Sequence, residues 1–219
     1  RPGEISLAHR GILFLDEVPE FQKNVLESLR QPLESGTVRV ARARGTLQFP
    51  AKFSLVAAMN PCPCGFYGDD EKECRCSPYE VIRYQKKISG PLLDRIDLQI
   101  RVPRVKIGDL RVKKEFKPES PTIKSLVEKT RGIQLARFSK LGLKIQTNAE
   151  MSSKQTEDLI NLEPAAENFL KTFDKARLSP RGYYRLLKVS RTIADLESSE
   201  TVSANHLAEA FSYRLREEV

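Results

Sequence analysis

A chain of 219 residues, 40% hydrophobic and 30% charged, is globular rather than disordered and long enough for one large core or two small ones. No stretch approaches the roughly 18 apolar residues that crossing a bilayer requires, so no membrane partner is expected. The formal charge of +8 favours a polyanionic partner, nucleic acid first, with a merely soluble surface as the alternative.

Arg1 opens the chain without an initiator Met and a strand follows almost at once, so an upstream part is expected. Ile12, Leu13, Phe14 and Leu15 form an apolar run that stops at Asp16 and Glu17. Such a run suits a strand covered on both faces in a parallel α/β sheet, where ligands collect beyond the carboxyl ends. One acid there can hold Mg²⁺, usually through water, while its neighbour polarises a water for attack on a γ-phosphate. A buried strand ending in a solvated acidic turn is the plainer alternative.

Pro19 is placed to open a helix whose stripe is Phe21, Val25 and Leu29, ending near Pro32 and Gly36. Thr37 to Val40 and Thr46 to Phe49 flank Ala41-Arg42-Ala43-Arg44-Gly45, a hairpin signal with Gly45 free to take positive φ. Residues 36–52 carry three Arg and one Lys with no acid, which marks this hairpin as functional. Phe53 to Met59 reads as a second buried strand ending at Asn60-Pro61. A Cys-bearing insertion follows, then a helix from Pro78 to about Ile88. Ile96, Leu98, Ile100 and Val102 alternate as in a strand with one covered face. Residues 101–119 hold seven Lys or Arg against three acids and read as a solvated linker; 106–121 is the expected domain boundary. Ser179-Pro180 opens a helix to about Glu197 with Leu186, Leu187, Val189 and Ile193 inward. Ser203 starts a last helix carrying Leu207, Ala210 and Phe211. His9 and His206 are expected to pack or cap.

The order of these features is more specific than any one of them. It comprises an acidic pair ending one strand, an Asn ending the next, Leu92-Leu93-Asp94-Arg95, and an Arg opening a late helix. Leu15-Asp16-Glu17 has the form of a Walker B box. With Pro2 to Gly11, Leu29 to Gly36, Ala57 to Gly65, Gly90 to Leu98, Leu178 to Gly182 and Arg191 to Leu196, the chain resembles the AAA+ ATPases. More closely it resembles their magnesium-chelatase-like branch, the YifB/ComM family.

The resemblance implies an α/β fold: a partial AAA+ P-loop core with a parallel sheet and a pre-sensor-1 hairpin (residues 1–105), then an all-α lid domain (122–219). It implies ATP and Mg²⁺ as cofactors, with Asp16 in the Mg²⁺ shell and Glu17 as the base. Asn60 resembles sensor 1, Arg95 an arginine finger reaching into a neighbouring subunit, and Arg181 sensor 2. A planar, permanently charged guanidinium suits the finger role better than Lys does. No Gly-x4-Gly-Lys-Ser/Thr phosphate loop occurs in the chain, so these 219 residues alone are expected neither to bind ATP well nor to hydrolyse it.

The resemblance also implies a cytoplasmic homo-hexamer acting on single-stranded or branched DNA, with ComM-like branch migration in natural transformation as the leading activity. In relatives of this branch the hairpin lines a central pore. Arg39, Arg42 and Arg44 would there track phosphates without reading bases, and no aromatic at the tip offers stacking. A chelatase-like motor remodelling a protein partner is the first alternative, and a zinc and nucleic-acid binding module without activity is the second.

All four cysteines fall in Cys62-Pro63-Cys64 and Cys74-Arg75-Cys76. Two close pairs can converge as four thiolates around a structural Zn²⁺. Disulfides compete, against the reducing compartment of a cytosolic ATPase, and free thiols are a third option.

Overall fold

The computed structural model describes residues 3–42, 45–103, 105, 118–172 and 178–214, with the side chain of Arg42 left aside. They divide into two compact units, 1–96 and 97–218. The expected linker falls largely outside the described residues.

The first unit opens with α1 (Glu4–Leu7) and strand β1 (Ile12–Leu15), followed by a 3-10 turn (Val18–Glu20), α2 (Lys23–Ser28) and α3 (Arg30–Ser35). The hairpin strands β2 (Thr37–Arg42) and β3 (Gly45–Pro50), then β4 (Ser54–Ala57), α4 (Pro78–Gln85) and α5 (Gly90–Leu93) complete it. β1 and β4 run parallel, from Ile12 opposite Ser54 to Leu15 opposite Ala57. β2 and β3 pair antiparallel from Thr37 opposite Pro50 to Arg42 opposite Gly45, the expected hairpin, and Gly45 has φ +135°. Val18, Leu26, Leu29, Ile88 and Leu92 form the core, with Leu13, Leu15, Leu33 and Phe53 packed against them.

Three local expectations are corrected. β1 is covered on one face only: Leu13 and Leu15 face the core while Ile12 and Phe14 are 68% and 59% exposed. Among the described residues β4 is its one strand neighbour, and no layer lies over the second face. The helix expected from Pro19 is broken, and its inward residues are Leu26, Leu29 and Leu33, leaving Phe21 and Val25 exposed. It is interrupted first at Phe21 and Gln22, which are extended ahead of α2, and again at Leu29. Pro32 accounts for the second break, since in an uninterrupted helix its ring would strike the carbonyl of Ser28, whereas in the first turn of α3 it is tolerated. The alternating segment from Ile96 to Val102 makes a single bridge, Gln99 with Arg214, and exposes Leu98, Ile100 and Val102. A one-residue bridge offers no continuous ladder to organise the alternation.

The second unit contains α6 (Ser120–Lys140), a 3-10 turn (Asn148–Glu150), α7 (Ser153–Leu159), α8 (Pro164–Thr172), α9 (Pro180–Leu196) and α10 (Ala204–Ser212). α9 runs through the middle, packed by α6, α7 and α10. Its Leu186, Leu187 and Ile193 join Phe138, Val202 and Leu207 in the core. Ser179 caps it by accepting from the Gly182 amide at 3.1 Å. Ser203 and His206 form a reciprocal cap on α10, as expected of a capping His, and His206 Nε2 meets Glu197 at 2.9 Å. The architecture is that of a partial AAA+ α/β core with a separate helical domain.

Candidate functional site

The parallel pair β1–β4 sets one edge of the first unit. Its ladder continues past the strand ends, the Ala58 amide donating to Leu15 O at 2.8 Å and the Val18 amide to Ala58 O at 3.1 Å. Asp16 and Glu17 leave β1 at that edge and Asn60 leaves β4 there, so these three predicted residues come to the same side; all are exposed. Glu17 is left-handed, φ 50° and ψ 45°, a sparsely populated region for a residue with a Cβ. The kink sends Val18 and Pro19 into the core and leaves both carboxylates in solvent. The Glu17 amide donates to Asp16 Oδ1 at 2.9 Å, which orients the Asp16 carboxylate. Two adjacent carboxylates and a neighbouring amide at the carboxyl end of parallel strands fit a Mg²⁺–nucleotide site.

Arg95, in the same unit, is turned inward. Nε donates to Arg30 O at 3.1 Å, Nη1 to Pro91 O at 2.6 Å, and Nη2 meets Glu34 Oε2 at 2.6 Å, with the residue 9% exposed. An arginine finger that reaches into a neighbouring subunit would present its guanidinium outward. Here it ties α3 to α5. Arg181 belongs to the helical unit, exposed in the first turn of α9.

On the hairpin, Arg39 is exposed on β2 opposite Gln48. The Arg42 side chain and Arg44 lie outside the described residues. The hairpin root is fastened to the turn before β1. The Ala51 amide donates to Gly36 O at 2.8 Å, the Lys52 amide to His9 Nδ1 at 3.1 Å, and the Arg10 amide to Lys52 O at 2.6 Å. His9 therefore holds the hairpin base.

Cys62, Cys64, Cys74 and Cys76 converge, with every Sγ within 4.8 Å of the others. Cys62 Sγ lies 3.3 Å from that of Cys64 and 3.7 Å from that of Cys74, and Cys64 Sγ lies 3.6 Å from that of Cys74. A disulfide would need about 2.05 Å, and all four are free thiols. A tetrahedron with metal–sulfur bonds of about 2.3 Å has sulfur–sulfur edges of about 3.8 Å, so the cage fits a thiophilic cation such as Zn²⁺. Backbone amides of Phe66 and Arg75 pull the Cys64 thiol down to about 6, while burial foremost pushes that of Cys76 up to about 12. The Tyr67 amide also donates to Cys62 Sγ at 3.3 Å. Four thiols so placed can hold a metal ion.

Two residues that sequence reasoning missed touch this machinery: Glu34, which grips Arg95, and Gln85, whose Nε2 donates to Pro61 O at 3.0 Å. Glu34 lies inside the stretch from Leu29 to Gly36 that carries the resemblance, whereas nothing in its spacing marks Gln85.

Two family models match the chain: magnesium chelatase, subunit ChlI, over residues 1–110, and the ChlI C-terminal model over 117–214. Competence protein ComM of Haemophilus influenzae is 47% identical over 98% of this chain and 41% of its own length. An uncharacterised YifB of Escherichia coli is 43% identical over 97% of this chain and 41% of its own length. The magnesium-chelatase subunit ChlI of Mesostigma viride is 33% identical over 51% of this chain and 25% of its own length. The chain spans about two fifths of the length of the ComM and YifB relatives.

Proposed function

The chain belongs to the magnesium-chelatase-like ComM/YifB family, and from that membership we propose that it is part of an ATP-hydrolysing AAA+ motor that remodels DNA. The observation that supports the proposal is the position of Asp16, Glu17 and Asn60 in the segments that follow the paired carboxyl ends of β1 and β4. Bound Mg²⁺ supplies neutralisation of phosphate charge. Asp16, already oriented by the Glu17 amide through Oδ1, holds water in the metal shell with its remaining lone pairs. Glu17 accepts the proton of the attacking water, and the Asn60 amide orients that water. Arg181 contacts phosphate from the helical domain. Arg95 neutralises transition-state charge in a neighbouring subunit of a homo-hexamer, which requires release of its contacts to Arg30, Pro91 and Glu34. The four cysteines hold a structural Zn²⁺.

DNA is the substrate because the hairpin concentrates Arg39, Arg42 and Arg44 with no acid from residue 36 to 52. ATP-driven branch migration during integration of transforming DNA is the activity we assign, in a cytoplasmic setting. The test is hydrolysis by the intact protein with and without branched DNA. Stimulation that disappears in Glu17→Gln is the expected outcome, and hydrolysis persisting in Glu17→Gln would refute the site. The likeness to ChlI sustains a second reading, a motor that remodels a protein partner. Indifference of the ATPase to any DNA structure would favour it.

A further inference from the structure

The segment that carries the cysteines begins immediately after Asn60 and ends at α4. Within residues 61–80 Cys62 is the one buried residue, so this loop has no apolar core to order it. It is turned by Gly65 and Gly68 at positive φ, and Asp69 Oδ1 accepts from the amides of Glu71 and Lys72 at 2.8 and 2.9 Å. What converges in it is sulfur: four Sγ atoms at the spacing of a thiolate cage. Soft thiolates select Zn²⁺ over the Mg²⁺ of the nucleotide site, so the two cations do not compete.

Both ends of the loop meet at α4. Cys76 is followed by Ser77, which caps that helix in a reciprocal box with Glu80. Val81 and Tyr84 bury one side of α4. Burial foremost, with the charges of Glu20, Glu17 and Cys62, pushes the Tyr84 hydroxyl above its ordinary range. The next residue, Gln85, donates Nε2–H to Pro61 O at 3.0 Å, the first carbonyl after Asn60. The bond ties the turn after Asn60 to a helix residue 24 positions away.

We infer that the four-thiol centre binds Zn²⁺ to seat α4, and that Gln85 is thereby a positioning residue that holds the turn presenting Asn60 to the nucleotide. The metal closes a coreless loop, as metal sites do where folding and binding are one event. Closure fixes where α4 begins, and Gln85 carries that placement to Asn60. The inference rests on the proposed role of Asn60 in hydrolysis, and the experiment separates the two.

In the intact protein, purified without chelator, Gln85→Glu keeps the shape but loses the donor, and Gln85→Lys restores a donor. Zinc content, kcat and KM for ATP, and hydrogen exchange at residues 58–67 are measured in each. Gln85→Glu is expected to keep about one zinc per chain, the number one Cys₄ site takes, and to exchange faster around Cys62. Its kcat should fall about tenfold, the rate equivalent of one hydrogen bond, with KM within about twofold. Gln85→Lys should recover most of the rate, which a merely structural role would not produce. Stripping zinc from the native protein should reproduce the exchange and kcat changes together. If Asn60→Ala leaves kcat unchanged, the nucleotide reading falls. If Asn60→Ala abolishes turnover while Gln85→Glu does not alter it, the positioning inference falls alone. Zinc well below one per chain with full activity overturns the metal's part.

Discussion

At the scale of single residues, Glu17 is where the candidate site departs from regular backbone. The positions of Asp16, Glu17 and Asn60 follow from the apolar runs that precede them, the acids directly after β1 and Asn60 three residues beyond β4. The left-handed turn at Glu17 carried no such signal. It holds a β-carbon in a conformation that costs on the order of 1 kcal/mol or more, which Gly would not incur. Glu17→Gly is therefore expected to raise the unfolding free energy of the intact protein by about 0.5 kcal/mol, the relieved strain less the added unfolded-state entropy, while abolishing hydrolysis. Unchanged or lower stability, measured by denaturant titration, would mean the turn stores no strain. Arg95 makes the opposite point. Its identity stood in a recognisable motif, but its inward grip depends on Glu34, 61 residues earlier, and no local pattern reports such a partner. A Lys ammonium cannot serve Arg30 O, Pro91 O and Glu34 together as the guanidinium fork does. Arg95→Lys should cost about 2 kcal/mol of stability, a figure kept modest because Glu34 is half exposed. Activity loss with an unaltered melting midpoint would show that the inward contacts contribute little.

At the scale of elements, periodicity served well wherever one force dominated. The hairpin, α9 and α10 follow from β-prone runs around Gly45 and from Ser caps ahead of apolar stripes, and all three stand as read. Failures came where a second constraint competed. Pro32 splits the helix expected after Pro19, and the apolar alternation after Ile96 finds only one bridging partner. The hairpin's root, clamped through Lys52 to His9 and Arg10, was invisible because the bonds run through backbone amides. That clamp fastens the basic hairpin to the turn that leads directly into β1. If the arginines track phosphates, each one lost should reduce the slope of log affinity against log salt by about 1. Replacing Arg39, Arg42 and Arg44 by Ala in the intact protein should therefore flatten that slope by about 3, uniformly across DNA sequences. A slope unchanged from the native protein would discard the hairpin as the DNA contact.

For the whole molecule, the two units are stabilised by different chemistry, and this is open to measurement. The first relies on a modest apolar core and the cysteine cage; the second has a larger core pinned by a buried polar network. Asp195 is 1% exposed. It receives Arg191 Nε and Nη2 at 3.1 and 2.9 Å, Asn148 Nδ2 at 2.8 Å, and the Arg137 guanidinium. Burial alone would raise its pKa, but bonds from Arg137 and Asn148 and the charge of Arg191 outweigh that and set it below the ordinary carboxylate range. An acid whose folded pKa lies below its unfolded value, about 3.9, stabilises the fold at all pH values above that range. The contribution fades as pH falls from there through the lowered folded pKa. Hydrogen exchange in the intact protein should thus show residues 118–214 losing protection at a pH below about 4, with Asp195→Asn losing it at neutral pH. The latter change leaves two guanidiniums facing a neutral amide, for a loss of about 3–5 kcal/mol. Removing metal at neutral pH should instead deprotect residues 58–88 and spare the helical unit. Were Asp195→Asn as well protected at neutral pH as the native protein, the network would be a passive feature of the core, and the apolar contacts of α9 alone would hold the second unit.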